Sequence, residues 1–170
     1  MENYTFRKAS AADAGAIMEI IDFARHKMLD EGRRQWDEHY PALRDIMADI
    51  DLGHGYVICR AGRIATYGAI CFDGEPAYSD IDGQWQGNAD EPYMVVHRLA
   101  VAGGERRQGL GSLFLQQAWQ LMLQQGIRSL RIDTNFDNGA MLGMLEKMGF
   151  SYCGEIHYGR GTRRAYEKVV

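Results

Sequence analysis

The stretch that decides the fold reads His97-Arg98-Leu99-Ala100-Val101-Ala102-Gly103-Gly104-Glu105-Arg106-Arg107-Gln108-Gly109-Leu110-Gly111-Ser112. It begins in an apolar strand predicted over 93–101, breaks at two glycines and opens an amphipathic helix. Gly109 and Gly111 remove Cβ atoms where a ligand must approach the backbone, and the helix N-terminus attracts anions. Arg106 and Arg107 add forked donors that suit phosphate oxygens. The segment therefore predicts a pyrophosphate-binding cradle, the name used below for residues 103–112.

Two common nucleotide-binding motifs do not fit this cradle. Gly104 and Gly109 have the spacing of a P-loop, but Leu110 stands where that motif requires a phosphate-binding lysine. A dinucleotide fingerprint fails as well, because Gly109 and Gly111 are followed by Phe114 instead of a third small residue. ATP chemistry and dinucleotide binding are therefore not expected.

The remaining pattern, Arg106-x-x-Gly109-x-Gly111 after a strand ending in Leu99-x-Val101, resembles the acyl-CoA-binding motif of the GNAT superfamily of N-acetyltransferases. A second segment, from Asn138 to Gly149-Phe150, is similar to the family pattern Asn-x-x-Ala-x-x-x-Tyr-x-x-x-Gly-Phe. The resemblance implies acetyl-CoA as co-substrate. It also implies an acyl-CoA-binding set made of Leu99, Ala100, Val101, Arg106, Arg107, Gln108, Gly109, Leu110, Gly111, Ser112 and Asn138.

Simpler interpretations of these residues stay open. The cradle could be an ordinary strand-to-helix turn with surface arginines, and the strand residues could only pack in the core. Asn138 could serve as a helix N-cap, a role that asparagine often takes.

Hydrophobic periodicity and turn residues predict the order β-α-α-β-β-β-α-β-α-β-β. The first helix is expected to end near Arg25, and Pro41 is expected to start the second. Residues 73–92 are predicted to form a long polar connection. The fold class is α/β, with a single mixed, mostly antiparallel sheet and a central parallel β-α-β unit. This order is similar to the GNAT fold, so one N-acetyltransferase domain is predicted over residues 1–170.

Composition narrows the classes of partner. The chain has 170 residues, 46% of them hydrophobic, and a formal net charge of −4, so no basic field predicts nucleic-acid binding. Three widely spaced cysteines indicate buried thiols of a reducing compartment. The His and Cys spacing predicts no metal site. With no signal-peptide pattern at the start and no run of about 20 apolar residues, a cytoplasmic protein without membrane contact is expected. A homodimer is left open.

His97 is the candidate general base. An alkylamine with a pKa near ~10.4 must lose a proton before it attacks a thioester, and imidazole titrates near ~6.5. His97 lies two residues before Leu99, where several members of the family carry a glutamate proposed as the base. The alternative is a hydrogen-bonded core histidine, and the sequence does not separate the two.

The general acid is not identified by the resemblance. Leu145 occupies the position of the family tyrosine that protonates the leaving thiolate. A thiol with a pKa of about 8.5 needs only modest help, so water, Tyr152 or Tyr158 could replace it. Both tyrosines could equally be ordinary strand or turn residues.

Three aromatic residues are predicted to contact the acceptor: Trp36, Tyr78 and Trp85. Trp36 ends the turn 33–36, and the other two lie in the connection 73–92, which carries six acidic residues and no lysine or arginine. An acidic segment with aromatic side chains would attract a cationic amine. The alternative is a solvated surface loop.

The expected function is acetyl-CoA-dependent transfer of an acetyl group to a primary amine of a small molecule, directly in a ternary complex. Acetylation of a protein or peptide is a second reading. A non-catalytic acyl-CoA sensor is a third, which Leu145 favours.

Overall fold

A computed structural model describes residues 3–170 of the chain. The strands are β1 (Tyr4–Lys8), β2 (Gly55–Arg60), β3 (Arg63–Cys71), β4 (Asp82–Gly83), β5 (Met94–Val101), β6 (Ser129–Thr134), β7 (Ser151–Tyr158) and β8 (Gly161–Val169). The α-helices are α1 (Ala14–Asp30), α2 (Leu43–Asp51), α3 (Leu110–Gln124) and α4 (Gly139–Lys147).

The eight strands form one mixed sheet in the order β1-β2-β3-β5-β6-β8-β7-β4. β5 and β6 are parallel, joining Met94 to Leu130 and Val95 to Arg131. Helix α3 connects these two strands, as a crossover between parallel strands requires. The pairs β1–β2, β2–β3, β6–β8, β7–β8 and β4–β7 are antiparallel. The predicted α/β class, with its mixed sheet and central parallel unit, is confirmed.

Two helix boundaries differ from the prediction. Helix α2 begins at Leu43 and not at Pro41, because the Asp45 carboxylate accepts a hydrogen bond from the Ala42 backbone N–H and fixes the helix start there. Helix α1 continues past Arg25 to Asp30, since buried Met28 extends its apolar face by another turn.

The connection 73–92 is more ordered than its polar composition indicates. A 3₁₀ helix spans Pro76–Asp80, and the short strand β4 pairs with β7 through Asp82–Glu155 and Gly83–Gly154. The sheet therefore has one strand more than predicted. The sequence gives no sign of β4, because aspartate and glycine are poor strand formers and tertiary pairing alone makes the strand.

Contacts between residues divide the chain into two compact units. The first comprises Met1–Ile70 and Arg98–Gln117, and the second comprises Cys71–His97 and Ala118–Val170. Ile17, Ile21 and Ile46 belong to a core cluster of the first unit, and Tyr78, Val95 and Ile156 to one of the second. The single domain stays a prediction. No helix within residues 3–170 is both long and apolar enough to cross a bilayer.

Candidate active site

The cradle has a backbone shaped for an anion. After β5, a 3₁₀ turn covers Gly103–Glu105, and Arg106 follows with an extended conformation. Arg107 and Gly109 then take positive φ angles of 62° and 77° before α3 begins. When residues with left-handed and right-handed backbone conformations follow one another, their N–H groups point toward one concave side. This is a common anion-binding arrangement. The positive φ at Gly109 explains the glycine there, because L side chains rarely adopt it.

The start of α3 adds backbone N–H donors to the cradle. The backbone N–H of Leu113 donates to the Gly109 carbonyl at 2.9 Å. The N–H groups that precede it in the first helical turn have no carbonyl inside the helix to bond. Arg106, half-buried, and Arg107, exposed, precede this turn in the chain. Backbone donors, a helix dipole and arginine side chains are the groups that bind phosphates, so the segment has the chemistry of a pyrophosphate site.

Side chains of α1 and β2 contact the cradle. Arg60 Nη1 donates to Glu105 Oε2 and to Gln108 Oε1, each at 2.7 Å. A Cβ atom on Gly103 would lie 2.7 Å from the ring of Phe23. A side chain at position 103 would therefore displace the partly exposed ring of Phe23.

The strand residues and Asn138 have structural roles beside their predicted ligand contacts. Ala100 packs in the core of the first unit, whereas Leu99 and Val101 are partly exposed. Asn138 caps α4, since its Oδ1 accepts from the Met141 backbone N–H at 3.3 Å. The N-cap reading of Asn138 is thus present in the structure, and its contact with acyl-CoA stays a prediction.

His97 faces a carboxylate that the sequence analysis did not assign to it. Its Nε2 lies 3.2 Å from Glu75 Oε2, and the His97 side chain is 20% exposed. Glu75 is itself fixed, because its Oε1 accepts from the Ala77 backbone N–H and Tyr93 Oη bonds its main chain. Glu75 was one of six acidic residues in a long connection, and no spacing rule marks it as the partner of His97.

Asp133, in β6, accepts hydrogen bonds from two tyrosine hydroxyls. Tyr78 Oη donates to Asp133 Oδ2 at 2.6 Å, and Tyr158 Oη donates to the same oxygen at 2.9 Å. Burial and the neighbouring Asp133 carboxylate raise the pKa of both tyrosines above the usual range. The rings of Tyr78 and His97 are 6.5 Å apart, so this cluster adjoins the His97–Glu75 pair. We call His97, Glu75, Asp133, Tyr78 and Tyr158 the second-unit cluster.

The aromatic residues predicted for the acceptor are packed against the protein itself. Trp36 is only 6% exposed and belongs to the core of the first unit. Tyr78 is 1% exposed. Trp85 is half-buried, and the guanidinium of Arg131 lies 4.4 Å from its ring centre. These three side chains are therefore shielded from solvent, although most other residues between 79 and 86 are exposed. The acceptor contacts of the three residues stay predictions.

A buried carboxylate anchors the end of that connection. Glu167, fully buried, accepts hydrogen bonds from the backbone N–H groups of Gln86 and Gly87 and from the Ser129 hydroxyl. Burial opposes the charged form, but these hydrogen bonds hold the pKa of Glu167 below its usual value. Arg131 Nε completes the group at 3.1 Å. The connection is thus tied to β6 and β8.

One group of residues has ligand atoms spaced for a metal ion. Asp82, Glu155 and His157 bring these atoms within 4.8 Å of one another on β4 and β7. Asp82 and His157 are exposed, and exposed groups of this kind are common without an ion.

Comparison with known proteins decides the family. Residues 19–150 match the Acetyltransferase (GNAT) family. The chain belongs to this family. GNAT proteins are acetyltransferases that use acetyl-CoA, and the resemblance drawn from the cradle and the Asn138–Phe150 segment is confirmed at the level of the family.

Individual relatives and solved structures agree with this assignment. The chain is 27% identical over 145 residues to the uncharacterized N-acetyltransferase YesJ of Bacillus subtilis, covering 84% of this chain and 78% of YesJ. A GNAT acetyltransferase structure from Streptococcus agalactiae has 32% identity and a TM-score of 0.89, over 98% of this chain and 95% of that one. A NatC complex bound to Gag peptide and CoA shares the fold at 14% identity and a TM-score of 0.71, over 100% and 99% of the two chains.

Within the GNAT pattern, Leu145 replaces a tyrosine and is completely buried in α4. It has no hydroxyl to offer. Tyr152, a sequence-based alternative, is 55% exposed and packs its ring edge on Tyr166. Tyr158, the other alternative, donates to Asp133 instead.

Proposed function

We propose that this acetyltransferase transfers the acetyl group of acetyl-CoA directly to a primary amine of a small molecule, with His97 as general base. The observation that carries the proposal is the His97–Glu75 contact of 3.2 Å. A partly exposed imidazole with a fixed carboxylate on one nitrogen is the usual arrangement of an oriented base.

The two ring nitrogens of His97 take different roles in this proposal. Nε2 faces Glu75 and keeps the proton that they share. Nδ1 accepts a proton from the protonated amine, directly or through one water. Glu75 stabilises the imidazolium that forms, because an opposite charge nearby favours the charged form.

The cradle supplies binding and orientation. Main-chain N–H groups of residues 108–111, together with Arg106 and Arg107, would hold the pyrophosphate of acetyl-CoA. Main-chain groups of Leu99 and Val101 would bond the pantetheine amides. Acetyl-CoA brings the activated thioester, and this chain's residues position it and remove the amine proton.

Tyr158 is a poor candidate for the acid that protonates the leaving thiolate. A raised pKa makes its hydroxyl a weaker proton donor than an ordinary tyrosine, and that hydroxyl already donates a hydrogen bond to Asp133 Oδ2. A thiolate of low basicity can take its proton from water. We therefore assign no side chain to this step.

The ordered conformation of residues 73–92 supports a small acceptor. A peptide needs an open groove, whereas this connection is fixed by the β4–β7 pairing and by Glu167. A peptide acceptor is the second candidate, because the NatC fold neighbour is bound to a peptide. Free thiols at Cys59 and Cys153 support the further proposal of a reducing, cytoplasmic compartment.

Paired acceptors test the size class. Initial rates of CoA release are measured with a panel of small primary amines and with peptides that carry the same amine group at their N-terminus. The proposal expects at least one small amine to exceed its peptide partner in kcat/KM by about tenfold or more, equivalent to about 1.4 kcal/mol. Faster reaction with the peptides throughout the panel would favour the second candidate.

A further inference from the structure

Arg98 has a backbone conformation that arginine seldom adopts. Its φ is +53°, although it lies inside β5. For a residue with a Cβ atom the left-handed region is unfavourable, and such residues persist where surrounding contacts hold them. A left-handed residue inside a strand also breaks the regular alternation of peptide groups, as at a β-bulge. The main chain that follows Arg98 therefore leaves the regular ladder geometry.

The Arg98 side chain is held by a buried network within the first unit. Nε donates to Asp49 Oδ2 at 2.9 Å, and Nη2 donates to Asp49 Oδ1 at 2.5 Å. Nη1 donates to the Tyr40 hydroxyl at 2.9 Å, so the guanidinium is bound on three sides. Asp49 is 4% exposed and also accepts from the fully buried Tyr67 hydroxyl.

Arg98 is held as a cation despite its burial. Burial disfavours the guanidinium charge, but the contacts with Asp49 and Tyr40 together outweigh it and raise the Arg98 pKa above its usual value. A two-pronged contact between arginine and carboxylate fixes direction as well as distance. The pair is thus rigid enough to impose a backbone conformation.

We propose that Arg98 is a positioning residue whose ion pair with Asp49 holds the left-handed turn of β5 and so presents the main chain of Leu99–Val101 to acetyl-CoA. This inference rests on the proposed function, since it assigns those main-chain groups to the pantetheine. It adds α2, which carries Asp49, to the elements that shape the acyl-CoA site.

A glycine-against-alanine comparison separates positioning from simple stability. Both variants also carry Asp49→Asn, so that removing Arg98 leaves no unpaired buried carboxylate. Asp49→Asn/Arg98→Gly can take the left-handed conformation without an anchor, whereas Asp49→Asn/Arg98→Ala cannot do so without strain. We expect the glycine variant to bind acetyl-CoA within about threefold of the wild type and the alanine variant about tenfold more weakly.

A role in stability alone predicts the opposite order. Glycine is more flexible than alanine in the unfolded chain, so the glycine variant would then be equal or worse. Equal acetyl-CoA affinities for the two double variants, or weaker binding by the glycine variant, overturn the proposal. Tyr67→Phe is the matched control, because it removes the hydrogen bond that Tyr67 donates to Asp49 but leaves the ion pair between Asp49 and Arg98. It should lower the unfolding temperature without changing acetyl-CoA affinity.

An amide chemical shift, measured without ligand, shows whether each variant is folded. It also separates a positioning role of Arg98 from a role in stability alone. The Leu99 amide chemical shift should stay near the wild-type value in the glycine variant and move in the alanine variant. If the alanine variant does not fold, Asp49→Asn alone replaces it: it removes the ion pair from an Arg98 that keeps its Cβ atom, so the Leu99 amide shift should move; no movement overturns the proposal. If the wild type does not bind acetyl-CoA, the proposed function fails, whereas wild-type binding with no glycine advantage rejects only the role of Arg98.

Discussion

The cradle and the second-unit cluster are built in opposite ways. The cradle is one continuous segment, residues 103–112, which presents main-chain groups, a helix end and two adjacent arginines. The second-unit cluster brings together side chains from separate segments: His97, Glu75, Tyr78, Asp133 and Tyr158. A main-chain site needs glycines at fixed spacing and is therefore visible in sequence, while a side-chain cluster becomes visible only in the fold.

Because the two regions differ in this way, we expect substitutions in them to cause different defects. Changes in the cradle should weaken acetyl-CoA binding, and changes in the second-unit cluster should slow turnover at saturating acetyl-CoA.

His97→Ala should give the largest effect. We expect kcat to fall by about 10²–10⁴-fold, the usual contribution of a general base, with acetyl-CoA affinity near that of the wild type. The loss should be greatest at low pH, where removing the amine proton is hardest. Steady-state rates from pH 6 to 9 and calorimetry measure both quantities. Exposed His26→Ala is the control, and full activity of His97→Ala across this range would return His97 to a packing role.

Arg106→Ala and Gly109→Val test the other region. Loss of a charged phosphate contact should cost about 1.5–3 kcal/mol of CoA binding. Valine at Gly109 should also weaken binding, because that position requires a positive φ and close ligand approach. Calorimetric titration with CoA measures the affinities, and exposed Arg44→Ala serves as the control. Unchanged affinity in both cradle variants would reject the cradle as the pyrophosphate site.

Glu75→Gln should have a smaller effect on turnover. Removing the carboxylate beside His97 should lower kcat by about tenfold without weakening acetyl-CoA binding. Steady-state rates at saturating acetyl-CoA and calorimetry measure both quantities. Glu91→Gln, in the same connection, is the matched control, and an unchanged kcat in Glu75→Gln would contradict the positioning of His97 by Glu75.

Tyr158→Phe should have the smallest effect. If water protonates the thiolate, kcat should change by less than about threefold, and loss of the bond to Asp133 should cost about 0.5–1.5 kcal/mol of stability. Thermal unfolding and steady-state rates measure these quantities. A fall in kcat of about 100-fold or more, with the variant folded, would instead make Tyr158 the general acid.

The extent of sequence-based prediction follows the same division. The order of the main elements, the strand–turn–helix backbone of the cradle and the family could be predicted, because glycines, periodic apolar residues and helix ends leave local signals. Pyrophosphate binding by the cradle stays a prediction. Glu75 could not be assigned to His97, since long-range side-chain contacts leave no spacing pattern. The burial of Tyr78 and Trp36 could not be predicted, because tertiary packing, and not the local sequence, decides whether an aromatic residue in a polar segment is buried. Strand β4 was missed because its pairing with β7 is entirely tertiary.

The most direct test of the account measures acetyl-CoA binding and amine-dependent CoA release on the same wild-type sample. Binding is followed by calorimetry, and release is followed with a broad set of amines and peptides at saturating acetyl-CoA. The account predicts saturable binding together with release that depends on at least one small primary amine and saturates with its concentration. Saturable binding with no acceptor-dependent release across the whole set would contradict it and make the chain an acyl-CoA sensor.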